Sequence, residues 1–246
     1  MKKKILFVFL LIKCISGHDF RNKSGERFSR DFLFGIASSA YQVEGAWNVS
    51  GKSTNNWDHF THTRPEKISD GSNGDVACDS YHKIKEDVKL LKDLGVHFYR
   101  FSLSWTRILP SPFSNKLNPD GIRYYNELID LLLENGIEPM VTIFHFDLPQ
   151  VLQDLGGYTN SLIIKYFVKY AKFVFENFGD RVKIWTTFNE PHIYCLMGYG
   201  QDLLPPAYNL SGIGEYLCSY NALKAHAAIY HLYNNTFRQQ QHGKYR

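Results

Sequence analysis

Short apolar strands and amphipathic helices alternate about every forty residues through this 246-residue chain, and that rhythm restricts the fold more than any other feature. Four runs read as strands: "DFLFGIASSA", "VHFYRFSLSW" centred on Tyr99 to Leu103, "EPMVTIFHF" and "VKIWTTFNE". Each is followed by a helical pattern. In "SYHKIKEDVKLLKDLG" the residues Tyr81, Ile84, Val88, Leu91 and Leu94 share one face, and Gly95 supplies the stop. Asn118 stands at the cap and Pro119 at the first position of a second helix, with Ile122, Tyr125, Ile129 and Leu132 as its stripe and Asn135-Gly136 as its end. "SLIIKYFVKYAKFVFENFGD" reads as a long helix closing near Gly179. "GEYLCSYNALKAHAAIYHLYNNTF" aligns Tyr216, Tyr220, Leu223, Ala227 and Tyr230. Strands and helices alternating at this spacing predict a parallel α/β fold. The third strand is nearly all apolar, as a strand buried on both faces should be. Periodicity does not separate an open doubly wound sheet from a closed barrel. It does give a count of four units, against the eight that close a (β/α)₈ barrel. The long loops 41–80 and 191–213 take up much of the remaining length, and no linker divides 18–246 into two domains.

The chain is 44% hydrophobic and 15% aromatic with no low-complexity tract, which excludes disordered and fibrous classes. Its formal charge of +4 is spread along the sequence, so no nucleic-acid footprint is present. Residues 1–17 have the form of a secretory signal peptide: Lys2, Lys3 and Lys4, then "ILFVFLLI", then the small residues Ser16 and Gly17. That apolar run is too short to span a bilayer. Extracellular delivery is the expectation, and Asn22, Asn48, Asn209 and Asn234 head the four triplets that would accept N-glycans there. Beyond the signal, Cys78, Cys195 and Cys218 remain, so at most one internal bridge can form. No pair has metal-ligand spacing and no phosphate-binding glycine loop occurs, so neither metal nor cofactor is expected.

Polar residues gather where such folds keep their chemistry. Gln42, Arg100, His145, Asn189 and Glu190 each lie on or just beyond one of the four strands, and parallel α/β folds build active sites at the C-terminal strand ends. Glu190 follows an apolar strand, and Pro191 fixes the turn after it. A glutamate in such low-dielectric surroundings can act as a proton donor near neutral pH. Asn189 can bond a sugar hydroxyl, Gln42 and His145 offer further donors and acceptors, and Arg100 can hold a second carboxylate ionised. Tyr41, Trp47, Trp57, Trp105 and Phe146 surround these points. Aromatic walls suit the flat C–H faces of sugars, although ordinary core packing accounts for most such residues.

The stretches "FLFGIASSAYQVEGAW", "GDVACDSYHKIKEDV", "YRFSLSWTRILP", "GIRYYNELIDLLLENGIEPMVTIFHFDLPQ" and "TTFNEP" resemble glycoside hydrolase family 1, the retaining β-glucosidases, most of all its insect and myrosinase-like members. The resemblance implies a (β/α)₈ TIM barrel hydrolysing β-glucosides by double displacement. It makes Glu190 of "TFNEP" the general acid/base and Asn189 the partner of the sugar 2-hydroxyl. Gln42 of "YQVEGA" and His145 of "HFDLPQ" become glycone ligands, and Arg100 becomes the residue that orients the nucleophile. Two positions depart from the family pattern. Phe146 stands where Trp is usual, which removes an indole N–H donor, and Tyr158 stands at another Trp position, expected to be a packing change. Glu190 differs from the Gln of plant thioglucosidases.

Retaining hydrolysis needs a second carboxyl group about 5–5.5 Å from the first. The family carries it in a "TENG"-like motif on the seventh strand. The chain's own "ENG", Glu134-Asn135-Gly136, reads as a helix end and would sit at the opposite end of the barrel from Glu190. The expectation is therefore a chain resembling the first half of such an enzyme, with the acid/base but not the nucleophile, and inactive alone. The competing reading is a non-catalytic carbohydrate-binding or interaction protein on the same scaffold.

Overall fold

The computed structural model describes residues 28–29 and 31–245. The signal-like segment 1–17 and Asn22 lie outside them. Five strands form one sheet: β1 (Gly35–Ala37), β2 (Phe98–Ser102), β3 (Glu138–Phe144), β4 (Ile184–Phe188) and β5 (Lys244–Tyr245). Their spatial order is their sequence order, and every neighbouring pair is parallel. A doubly wound sheet reverses direction at a switch point, whereas consecutive order is how a barrel wall grows. Between the strands lie α1 (Asn56–Thr63), α2 (Ile84–Leu94), α3 (Pro119–Glu134), α4 (Leu162–Phe178) and α5 (Gly214–Leu232). Helix α1 belongs to the long loop after β1. The other four complete four βα units, and β5 begins a fifth.

The register explains which sheet face is covered. Arg100 pairs with Met140, and Met140 with Ile184. These three lie on the face that a closed barrel turns inward, and all three are only half-buried. Phe101, Val141, Ile143 and Trp185 alternate to the other face and pack beneath the helices at 0–3% exposure. The core therefore sits between sheet and helices. The α3 stripe joins it, with Tyr125, Ile129 and Leu132 fully buried and Ile122 packed at its margin. Helix α2 buries Ile84, Val88 and Leu91 and ends at Gly95, whose φ of 69° provides the left-handed cap. Tyr81 packs on the core from the turn before that helix.

Two expectations about helices are corrected. Asn118 precedes Pro119 but makes no side-chain cap; its amide instead donates to the Ser50 and Arg107 carbonyls at 2.7 and 2.9 Å. The aligned Tyr216, Tyr220, Leu223 and Tyr230 of α5 are exposed by 71, 56, 69 and 38%, and Ala227 is exposed with them. The buried face is the one with small side chains, Cys218, Ala222 and Ala225 with Asn221 and Ile229, which lets α5 approach α4 closely. An apolar helix carries two candidate stripes, and spacing alone does not rank them. Glu134 closes α3 just before β3 begins, whereas Glu190 lies just after β4 ends, so in a parallel sheet they occupy opposite rims.

A buried ion pair fastens the β1 loop to the β2 loop. Arg107 Nε donates to Glu44 Oε2 at 2.9 Å, with side-chain exposures of 0 and 6%. Tyr125 donates its hydroxyl to the other Glu44 oxygen, Arg107 Nη2 reaches the Gly45 carbonyl at 3.0 Å, and the guanidinium stacks 4.2 Å from the Tyr81 ring. Gly45 is required here: its φ is 64°, and a Cβ would lie 2.1 Å from the Val76 carbonyl oxygen. Cys195 and Cys218 are bridged, tying the loop after β4 to α5, while Cys78 stays a free, exposed thiol. Among the described residues no helix is long and apolar enough to cross a membrane.

Breaking one partner of a buried ion pair strands the other charge. Arg107→Met should cost about 3–5 kcal/mol in urea unfolding, and Glu44→Leu/Arg107→Met should cost less than the single change. Cys195→Ala/Cys218→Ala, which opens a loop with a sequence separation of 23, should cost about 2–4 kcal/mol in the same measurement.

Candidate active site

A cavity of about 670 Å³ opens at the C-terminal ends of the strands and gathers Gln42, His145, Asn189 and Glu190. The strand ends supply its floor and the two long loops its walls. Ser72, Asn73 and Gly74 come from the 41–80 loop, and Leu204 comes from the 191–213 loop. Of the aromatic residues flagged by sequence, Tyr41, Trp57 and Phe146 line the cavity, with Tyr41 stacked on Trp57 at 5.3 Å and Phe146 on Tyr194 at 5.1 Å. Trp105 is core instead, fully buried and stacked on Tyr170 at 4.6 Å. Trp47 packs edge-on against His62 outside the cavity.

The backbone places the polar groups in sequence. Asn189 N–H donates to the Phe144 carbonyl at 3.0 Å, which carries the β3–β4 ladder one step beyond Phe188. The chain then turns sharply: Glu190 adopts φ 35° and ψ 61°, and Pro191 opens the short helix Pro191–Tyr194. Phe146, next to His145, also has positive φ, at 76°. Ala77, on the same lining, is a third at φ 48°, and three non-glycine residues held in the left-handed region beside one cavity store strain, as active sites often do. Gln42 lies in the short helix Ala40–Val43, and Ser39 Oγ donates to its Oε1 at 2.7 Å, so its amide N–H groups remain as donors.

Arg100 stands behind this floor and does not line it. Its Nε donates to Thr142 Oγ1 and its Nη2 to Asn189 Oδ1, both at 2.8 Å. Partial burial pulls the guanidinium below its ordinary range, and the Glu190 carboxylate pulls the other way. His145 is pushed down to about 4, first by burial and second by the Arg100 charge, so its imidazole is neutral at ordinary pH. Its Nδ1 is buried and finds no partner among the described residues.

Glu190 is exposed at the cavity's edge, not enclosed in the low-dielectric surroundings that its apolar strand suggests. The inward sheet face is open on that side, and β5 pairs β4 only at Ile184 and Trp185. A second, mainly apolar cavity of about 410 Å³ opens there between β4 and α5, lined by Thr186, Phe188 and Leu223 among others. Glu190 is the one carboxylate among the residues lining the main cavity. The described residues hold no group of three or more His, Cys, Asp or Glu arranged for a metal ion.

Sequence reasoning missed three supports of this site: Ser39, Thr142 and the Glu44–Arg107 pair. The first two are short polar residues inside apolar stretches and carry no distinctive signal. Glu44, two residues after Gln42 in an otherwise apolar stretch, was the readable clue. Tyr158 is fully buried in an aromatic cluster with Phe144, Phe167 and Tyr194. Asn48, Asn209 and Asn234 are all exposed.

Known proteins resemble the chain over nearly all of the described length. The sequence model of glycosyl hydrolase family 1 matches residues 24–245. Myrosinase 1 of Brevicoryne brassicae is 53% identical over 218 residues, which are 89% of this chain and 47% of that protein. The lactase/phlorizin hydrolase of Rattus norvegicus is 49% identical over 88% of this chain and 11% of its own length. Among solved structures, aphid myrosinase superposes with a TM-score of 0.88 at 52% identity, over 89% of this chain and 47% of the other. A rice β-glucosidase superposes with a TM-score of 0.84 at 41% identity, over 89% and 48%. The chain thus spans about half the length of the aphid relative. A family model covering almost every described residue, carried on a sheet that grows strand by strand as a barrel wall does, places this chain in glycosyl hydrolase family 1.

Proposed function

We propose that this chain forms the acid/base half of a retaining β-glycosidase site acting on β-glucosides. One observation carries the reading: Gln42, His145, Asn189 and Glu190, from three different βα loops, line a single cavity with Arg100 hydrogen-bonded behind it. Glu190 would give its proton to the glycosidic oxygen as the C–O bond breaks, while a second carboxylate adds to the anomeric carbon. Glu190, then ionised, would take a proton from the water whose oxygen displaces that ester. Asn189, fixed by Arg100, would bond the sugar 2-hydroxyl. Gln42 would donate to glycone hydroxyls, and neutral His145 can both donate and accept. Arg100 would also hold the incoming carboxylate ionised and in place. Phe146 offers a ring face without an N–H.

The nucleophile belongs, on this reading, to polypeptide outside these 246 residues, since the cavity lining holds one carboxylate. That same observation favours a second reading, a carbohydrate-binding protein without turnover. The names of the relatives support glucosides as substrates, with thioglucosides an open variant because Glu190 is retained. The Cys195–Cys218 bridge suits an oxidising compartment, and the exposed Asn48, Asn209 and Asn234 suit N-glycosylation there, in line with secretion.

The 246-residue chain assayed with an aryl β-glucoside should show no turnover above background. Turnover abolished by Glu190→Gln would place a working nucleophile within the chain and overturn that part of the proposal. Glucose binding should weaken at least tenfold with Gln42→Ala and change little with Glu190→Gln. His145 has a folded-state value of about 4 against an ordinary 6.5. Between those limits the unfolded chain binds a proton that the folded chain refuses, so stability should fall as pH drops from 6.5 to 4. His145→Gln should flatten that slope in chemical unfolding measured across the range.

A further inference from the structure

Tyr41 connects Gln42, its neighbour in the chain, to the Ser72–Gly74 wall of the main cavity. The short helix that carries Tyr41 and Gln42 is anchored to the sheet, because Ala40 N–H donates to Ser102 Oγ at 2.7 Å. The Tyr41 ring stacks on Trp57 of α1 at 5.3 Å, and Gly74 closes on the ring's outer end, where a Cβ would lie 2.6 Å from Tyr41 Cζ. A side chain at position 74 would thus displace either the stacked ring or the wall.

The hydroxyl of that ring is the middle of a relay. Gly74 N–H donates to it at 3.1 Å. Thr61 Oγ1 donates to the Trp57 carbonyl at 3.0 Å, which leaves the Thr61 oxygen to accept from Tyr41 at 3.2 Å. Three bonds in series thereby run from the wall backbone to α1, and bonds in such a chain polarise and strengthen one another. Burial raises the Tyr41 hydroxyl above its ordinary range, so it keeps its proton and serves as both donor and acceptor at ordinary pH. Ser72 and Asn73, by contrast, bond within their own loop. Ser72 N–H donates to Asp70 Oδ1 at 3.0 Å, and Asn73 Oδ1 accepts from Asp75 N–H at 3.1 Å. Asp75 pairs with His62 of α1 at 2.7 Å, but both side chains are about a third exposed, where such a pair adds little.

We propose that Tyr41 is a positioning residue of this site: its hydroxyl, with the Gly74 amide on one side and Thr61 on the other, holds the Ser72–Gly74 wall at a fixed distance from Gln42 and so sets how closely a bound sugar is enclosed. The inference rests on the catalytic-site reading above and adds to it a residue that acts through its neighbours rather than on the substrate.

Amide hydrogen exchange and a D-glucose titration, both followed by NMR on the 246-residue chain, test it. Tyr41→Phe keeps the ring on Trp57 and deletes the hydroxyl. The Gly74 amide should then exchange at least tenfold faster, the Asn189 amide on the strand ladder should not change, and glucose affinity should fall at least threefold. Gly74→Ala, which crowds the same ring from the wall, should also weaken glucose at least threefold. Combined with Tyr41→Phe it should cost less than the two effects added, since a wall already released has no contact left to lose. General loosening would speed both amides together, and that result, like an unchanged Gly74 amide, would overturn the proposal. If Gln42→Ala weakens glucose binding while neither Tyr41→Phe nor Gly74→Ala does, this inference alone falls. If the unaltered chain gives no glucose response, or Gln42→Ala leaves that response unchanged, the site reading beneath it falls as well.

Discussion

The fold around the site rests on a charge that has no access to water. Arg107 is fully buried, and the Glu44 carboxylate, the Gly45 and Ala46 carbonyls and the Tyr81 and Tyr124 rings make that tolerable. The pair does more than neutralise itself. Glu44 follows Gln42 by two residues, so fixing its carboxylate fixes where the loop after β1 delivers the glutamine. Arg107 does the same for the turn after β2, which also holds Asn118 through its carbonyl. Tyr125 closes the unit from α3. Two consecutive βα connections, β1 to β2 and β2 to β3, are thereby registered to one another by a few polar atoms inside an apolar core, where a wrong pairing would leave an ion uncompensated.

A second polar relay works one layer nearer to solvent. Arg100 projects from β2 across β3 to β4, with Thr142 and Asn189 as its anchors. Its charge adds to the larger effect of burial in depressing His145, which keeps a neutral imidazole on the same cavity as Glu190. The sheet therefore does chemical work beyond holding its own ladder: the lateral spacing of three strands sets the distances among a guanidinium, an amide and an imidazole.

Four of the five strands, four of the helices and the clustering of Gln42, His145, Asn189 and Glu190 were legible in the sequence because each rests on local pattern: apolar runs, caps, and polar residues just past strand ends; β5, two residues long, carries no such run. The α5 surface was not. Its helix is apolar on more than one side, and which side is buried depends on how closely Ala222 and Ala225 let α4 approach. Nor was the exposure of Glu190 legible, because a neighbouring residue in sequence says nothing of what faces it across a sheet. Asn118 shows a third kind of failure. The amide had the right address for a cap, but two carbonyls of neighbouring loops, Ser50 and Arg107, compete for it and win. Trp105 and Trp47 are packing elements in space, the role that the sequence reading gave to most of the aromatic residues near the site.

The cavity's floor and its walls come from different kinds of structure. Groups that would handle protons and hydroxyls are locked to ladder positions on β3 and β4 or braced by buried ions, and a shift in any of them disturbs the core. The walls at Ser72–Gly74 and Leu204 belong to long excursions that cross the rim, and these are joined to each other where Arg64 and Lys67 pair with Asp202. Insertions and exchanges in those excursions can reshape what fits above the floor while leaving the reacting atoms where they are, so within such a scaffold selectivity is free to diversify faster than chemistry.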